Sequence, residues 1–147
     1  MTSTFERVAV GDRWRSPELV LGDEAARITT RAGYVHPLFT DEAYWRSAGF
    51  SGRPVPGELT LLLMGGLAEQ TSVFDETTLA LTGFEAVRFL KPAVVGDAIR
   101  LEMEVTRKHL SESGRRGFVT FAWECRNQRG EVVLEALATL AFRTGAA

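Results

Sequence analysis

From Ile99 onward the chain alternates with a period of two: Ile99, Leu101, Met103 and Val105 are apolar, and Arg100, Glu102, Glu104 and Thr106 between them are polar. Successive side chains of a strand point to opposite faces, so this stretch is a strand with one wet face. Phe118 to Cys125 is apolar on both faces, which predicts a central strand, and Val132 to Phe142 is a further long strand. Ser111–Gly117 and Asn127–Gly130 join these runs as polar hairpin connections. Leu79 to Leu90 is also strand-like and closes at Lys91–Pro92, with a turn at Val94–Asp97. Ahead of the strands lies a helix, Gly57 to about Val73. Leu59, Leu61, Leu62, Leu63, Met64, Leu67 and Ala68 surround its axis instead of marking one stripe, which predicts a buried helix. Pro54 and Pro56 set an extended, rigid entry to it. Gly65–Gly66 inside it weaken the helix and suggest that another backbone packs closely there.

The N-terminal part is less regular. Phe5, Val8 and Val10 read as a short strand or extended arm ending in a turn at Gly11–Asp12, and Trp14–Leu21 as irregular or weakly extended. Asp23 is a good N-cap for a helix ending near Gly33, a natural residue just past a helix end. His36–Pro37 forces an extended step, and Thr40 caps a short helix, Asp41–Ala48, whose acidic first turn suits the helix dipole. Gly49–Pro56 is a loop. Helices first, one of them buried, then antiparallel strands: the class is α+β. A long buried helix wrapped by an antiparallel sheet is the hotdog architecture, and a single domain over residues 1–147 is expected. Sheet edges of this kind are often closed by a second copy, so at least a homodimer is expected.

Composition removes several function classes. The net charge of −2 over 147 residues gives no reason to expect nucleic acid or an anionic membrane. The single cysteine, Cys125, excludes an internal disulfide and a multi-cysteine zinc site, and its strand context predicts a buried, inert thiol. There is no metal-ligand spacing, so no metal and no cofactor are expected. The start of the chain carries no signal peptide pattern and no apolar run is long enough to span a membrane, so a cytoplasmic protein is expected.

Two segments carry a family resemblance. Ala32–Asp41 followed by Gly49–Leu63 is similar to the pattern Ser-Gly-Asp-x-Asn-Pro-Ile-His-x-Asp, a short helix, and then Gly-x-x-Val-His-Gly-Met-Leu. Arg88–Thr106 resembles the strand, proline-containing turn, Gly-Asp turn and next strand of the same family. These are the motifs of the MaoC-like (R)-specific enoyl-CoA hydratases and dehydratases. The resemblance implies a hotdog fold and an acyl-thioester ligand, carried by coenzyme A or an acyl carrier protein. In the family an Asp and a His activate the water that adds to an enoyl thioester. Here Tyr34 stands at the Asp position, Phe39 at the His position, His36 at the intervening Asn and Pro56 at the His before the helix glycine. Phenylalanine has no proton to give, so the family's mechanism cannot run residue for residue.

Gly57 is the oxyanion-hole position of the family: its N–H, at the start of the buried helix, can hold a thioester carbonyl. Phe39 and Pro56 are placed beside it as substrate contacts. His36, Glu58 and Tyr34 are the candidates for replacement acid–base chemistry, as base, carboxylate base and hydrogen-bond donor. Arg53, with Arg88, Lys91 and Arg115–Arg116, can meet the phosphates of the carrier, and His109 is expected to be solvated. The bland alternatives are a loop-bonding His36, a dipole-favouring Glu58 and a space-filling Tyr34. Two functions remain open: a hydratase/dehydratase-related lyase with a non-standard site, or one that has drifted to isomerase, cyclase or thioesterase chemistry; and a non-catalytic protein, either an acyl-thioester-binding subunit or a structural partner of an active hotdog paralogue.

Overall fold

The computed structural model describes residues 2–145. Its elements are α1 (Thr4–Arg7), β1 (Arg13–Arg15), β2 (Leu19–Val20), α2 (Asp23–Arg31), α3 (Pro37–Thr40), α4 (Glu42–Ser47), β3 (Pro54–Val55), α5 (Gly57–Glu69), β4 (Thr78–Phe89), β5 (Ala93–Val94), β6 (Ala98–Leu110), β7 (Arg116–Arg126) and β8 (Val132–Arg143). A six-stranded antiparallel sheet runs in the order β1-β6-β7-β8-β4, with β2 also on β6; β3 and β5 form a separate ribbon. α5 lies on the inner face of the large sheet. This is the expected α+β, hotdog arrangement, and β7 is central to it as expected, although its outer face carries Arg116, Glu124 and Arg126 and is not apolar throughout.

Register explains the two faces. Leu101 pairs with Cys125, Met103 with Trp123 and Val105 with Phe121 across β6 and β7; Phe121 pairs in turn with Ala138 across β8. All of these are buried, together with Met64, Leu67 and Ala68 of α5. The alternate residues form a charged outer ladder in which Arg126 meets Glu102 at 2.9 Å and Glu124 at 2.7 Å, and Arg15 meets Glu102 at 3.2 Å.

Several sequence expectations need correction. The N-terminal arm is a helical turn, α1, because Ser3 and Glu6 form a capping box. Thr4 Oγ1 donates to the Val73 carbonyl at 3.1 Å and Arg7 pairs with Asp75 at 2.8 Å, which fastens that turn to the sheet end. The short helix α4 is capped by Asp41, whose Oδ1 accepts from Tyr44 N at 3.2 Å, not by Thr40, which ends the extra turn α3. α5 ends at Glu69, short of Val73, and it is not buried all round: Glu58, Leu62, Gly66 and Glu69 form an exposed stripe, with Leu62 68% exposed. Among the described residues no other backbone packs on Gly65 or Gly66; a Cβ at either would meet nothing within 4 Å.

One irregularity aims a side chain. Between Glu85–Leu137 and Arg88–Glu135, β4 carries an extra residue relative to β8, and Ala86 there has φ 52°. A left-handed alanine costs about 1 kcal/mol. The bulge reverses the in–out parity of the strand, as any one-residue slip must. Phe84 faces inward opposite Ala138, and past the bulge it is Phe89 that lies opposite buried Leu134.

Two outcomes are expected. Phe121→Ala empties the middle of the core and should cost about 3–5 kcal/mol in denaturant unfolding. The Thr77 hydroxyl, then the Thr77 N–H and Arg7, hold the Asp75 carboxyl down from its ordinary 3.8 to about 2. A depressed carboxylate contributes stability above its unfolded pKa that is lost as pH falls through the folded one. The stability gap between wild type and Asp75→Asn should therefore be constant above about pH 4 and shrink toward pH 2, read by urea unfolding across that range.

Candidate functional site

The N-terminus of α5 opens on a cleft of ≈ 290 Å³ whose walls include Phe39, Pro56, Gly57, Glu58, Phe89 and Leu134. The site is built by local chain stiffness. Pro54 and Pro56 hold an extended entry (Pro56 φ −54°, ψ 140°), so the helix begins abruptly at Gly57. Proline offers no capping side chain, and none caps this helix. The carbonyl of Pro56 accepts from Leu59 N at 3.0 Å and Thr60 N at 3.1 Å. The Gly57 N–H has no acceptor among the described residues. It is thus an orphan donor at the positive end of a helix, facing a largely apolar cleft. A Cβ at Gly57 would run into the ring of Phe89, so glycine is what lets β4 and the helix start meet here.

Beside Gly57, the Glu58 carboxylate accepts a hydrogen bond from the Tyr34 hydroxyl. That bond holds the Glu58 carboxyl below its ordinary value and pushes the Tyr34 phenol above its own. At neutral pH the pair is therefore an ionised carboxylate and a neutral phenol. Tyr34 also packs edge-on against Phe39, ring centroids 5.3 Å apart at 75°.

The structure thus brings Tyr34, Phe39, Pro56, Gly57 and Glu58 together. It places His36 elsewhere. The His36 Nδ1 accepts from Leu38 N at 3.0 Å, capping α3, and its exposed ring meets Tyr44 edge-on at 5.6 Å. Neither His36 nor Tyr34 is part of the cleft wall; Tyr34 is tied to it through its bond to Glu58, and His36 has no such link. Arg53 faces a different hollow, with Arg27 and Arg31. Lys91 borders the cleft but is paired with Glu131, whose carboxyl it holds down at about 2. His109 is exposed and stacks on Phe118 at 4.7 Å. Cys125 is buried, and burial pushes its thiol up to about 12. Among the described residues no group of His, Cys, Asp and Glu is arranged to hold a metal, and no helix is long and apolar enough to cross a membrane. Sequence reasoning missed Phe89, because only the bulge at Ala86 turns it toward Gly57. A larger hollow, ≈ 470 Å³, lies on the outer ladder among Arg13, Arg15, Glu102, Glu104, Glu124 and Arg126. Its charges largely satisfy one another, so the smaller cleft at the helix start is the better chemical candidate.

A family model described as "FAS1-like, dehydratase domain region" matches residues 26–136. The chain belongs to this dehydratase family. No curated protein matches it. Among solved structures, a MaoC-like dehydratase from Rhodospirillum rubrum is similar over 97% of this chain and 97% of its own, at 26% identity and TM-score 0.85. A monoamine oxidase regulatory protein from Archaeoglobus fulgidus is similar over 95% of this chain and 94% of its own, at 28% identity and TM-score 0.85. The (R)-hydratase of A. caviae involved in PHA biosynthesis is similar over 92% of this chain and 97% of its own, at 25% identity and TM-score 0.73. For the dehydratase-family chain described here, the expected MaoC-like membership and hotdog fold stand.

The Tyr34–Glu58 bond has a direct readout. Tyr34→Phe removes the donor that holds the carboxyl down, so the Glu58 pKa should rise toward 4.5, measured by NMR pH titration of the side-chain carboxyl carbon.

Proposed function

We propose that this MaoC-like chain is a single-domain acyl-thioester protein of the hydratase/dehydratase kind, with a non-standard site in which Gly57 holds the thioester carbonyl and Glu58 with Tyr34 replaces the family's Asp and His. The observation that carries the reading is the unpartnered Gly57 N–H at the mouth of an apolar cleft, next to an ionised carboxylate bonded to a phenol. In the hydration direction, the Glu58 carboxylate takes a proton from water as the water oxygen bonds to the β-carbon of a trans-2-enoyl thioester. The π electrons shift to the carbonyl oxygen, where the Gly57 N–H and the helix dipole stabilise the enolate. Collapse of the enolate takes a proton at the α-carbon from the Tyr34 hydroxyl, and Tyr34 recovers it from protonated Glu58. Dehydration is the reverse.

A second reading is favoured by the direction of the pKa shifts. A carboxyl held below its ordinary value is a weak base, and a phenol pushed up is a weak acid. On this reading the chain binds the acyl thioester without turning it over, beside a hotdog paralogue that carries the Asp and His. Either way a second subunit is part of the proposal. β4 is an unpaired edge with Leu79 45%, Leu81 49% and Phe89 54% exposed, and Leu62 stands out from α5. A second hotdog subunit laid along this edge would cover apolar area and satisfy the free ladder groups.

The test is hydration of crotonyl-CoA and of a longer trans-2-enoyl-CoA, followed by loss of enoyl absorbance. Turnover by wild type should fall by about 100-fold or more in Glu58→Gln, the range a positioned acid–base group supplies. It should also fall in Gly57→Ala, whose methyl displaces the Phe89 ring and crowds the carbonyl site. Turnover unchanged in both variants would overturn the assignment. A wild type that binds a saturated acyl-CoA yet hydrates nothing would overturn the hydratase assignment and leave the binding-subunit reading or a drifted thioester chemistry.

A further inference from the structure

Phe89 is a poor core filler. It closes β4 opposite buried Leu134, yet the residue itself is 54% exposed. What its ring touches is the start of α5: a Cβ built on Gly57 would lie 2.4 Å from the ring Cδ1 and 2.5 Å from Cε1. The backbone beneath the ring is fastened. Phe89 pairs with Leu134, and just beyond it Leu90 N and Lys91 N both donate to the Val133 carbonyl, at 2.9 and 3.2 Å. The ring thus stands at the helix mouth with one edge on a glycine and more than half of the residue uncovered.

That position bears on any ligand held by the Gly57 N–H. In a helix the Cα–Cβ direction tilts toward the N-terminus, the way the first N–H groups also point. The missing methyl of Gly57 and its free donor therefore face the same mouth. The N and Cβ of one residue are about 2.5 Å apart, which puts the ring Cδ1 no more than about 5 Å from the Gly57 nitrogen. A carbonyl oxygen accepting from that N–H sits about 2.9 Å from the nitrogen. The carbonyl carbon lies about 1.2 Å beyond the oxygen, with the sulfur on one side and the α-carbon on the other. The first atoms of the acyl group are then in van der Waals range of the ring. Phe39 and Pro56 line the same ≈ 290 Å³ cleft, and Phe39 is braced by its edge-on contact with Tyr34. Stiff groups bound this end of the cleft, and stiff walls discriminate shape better than flexible ones.

We propose that Phe89 is a specificity-determining residue of the Gly57 cleft: its ring fills the space that a branch on the α-carbon would need, so the cleft takes acyl thioesters unbranched at that carbon. A methyl driven into a packed apolar wall must displace either the wall or the ligand. One such group is worth about 10- to 200-fold in an apolar pocket. A branch one carbon further along carries the methyl away from the anchored carbonyl and from the ring beside it. The inference rests on the thioester reading of the cleft.

The experiment is calorimetric titration of the full chain with three saturated ligands: butyryl-CoA, its isomer isobutyryl-CoA and 3-methylbutyryl-CoA. Butyryl and isobutyryl groups contain the same atoms, so only the place of one methyl differs between them. Wild type should bind butyryl-CoA and 3-methylbutyryl-CoA alike and isobutyryl-CoA about tenfold or more weakly. The gap should close in Phe89→Ala and narrow in Phe89→Leu, which keeps the strand end apolar. A purely structural role for Phe89 would lower all three affinities together and keep their ratios. Ratios kept in both variants, equal binding of the two isomers by wild type, or rejection of 3-methylbutyryl-CoA as strong as that of isobutyryl-CoA would each overturn the assignment while the thioester reading stands. No binding of any of the three would overturn both.

Discussion

α5 has too much apolar surface to be left in water, and the arrangement of the chain follows from covering it. Met64 and Leu67 are essentially inaccessible, packed against the inner face on which Leu101, Met103, Phe121 and Ala138 meet. Fixing the body of the helix also fixes its start. The stiff entry through Pro54 and Pro56 then leaves the first turn no freedom to fold back on itself. The cleft is therefore a by-product of core packing: it lies where the covered part of the helix ends and the proline-held entry begins.

What the sequence made legible was what depends on local periodicity. The alternation from Ile99 to Thr106, the central Phe118–Cys125 strand and the start of α5 at Gly57 all emerge in place, since each follows from which side chains can face water. The errors have physical causes too. The α1 turn reads as an extended arm in the sequence because Phe5 and Val8 mask Ser3 and Glu6, the capping pair that decides it. Leu62 was assigned to the interior because a period says which residues share a face, not which faces the chain itself has material to cover. The Tyr34–Glu58 contact joins residues far apart in sequence, and no spacing rule reaches it. Gly57 and Pro56 are legible through motif resemblance, whereas the close approach of the Phe89 ring to Gly57 is not.

That last contact links the sheet edge to the site. Ala86 is the one non-glycine residue among those described with positive φ. The turn it makes inverts the remaining residues of β4. Local strain in a sheet edge thereby decides which ring covers the helix start, and that edge has no further strand beside it among the described residues. Edge and cleft are mechanically one region, so whatever orders β4 also orders the wall around Gly57.

Pro56 has a consequence of a different kind. A helix end closed by a serine or aspartate can be opened or shut by changing one side chain. Here the free donor belongs to the main chain, and the residue in the capping place has nothing to cap with. Exchange of side chains other than the one in the capping place leaves that donor where it is; a proline at position 57 or a displaced helix would remove it. A feature written in backbone geometry is inherited through side-chain turnover, whereas a dyad of two side chains is not. The side chains around the helix start can change a long way while the free N–H of Gly57 stays put.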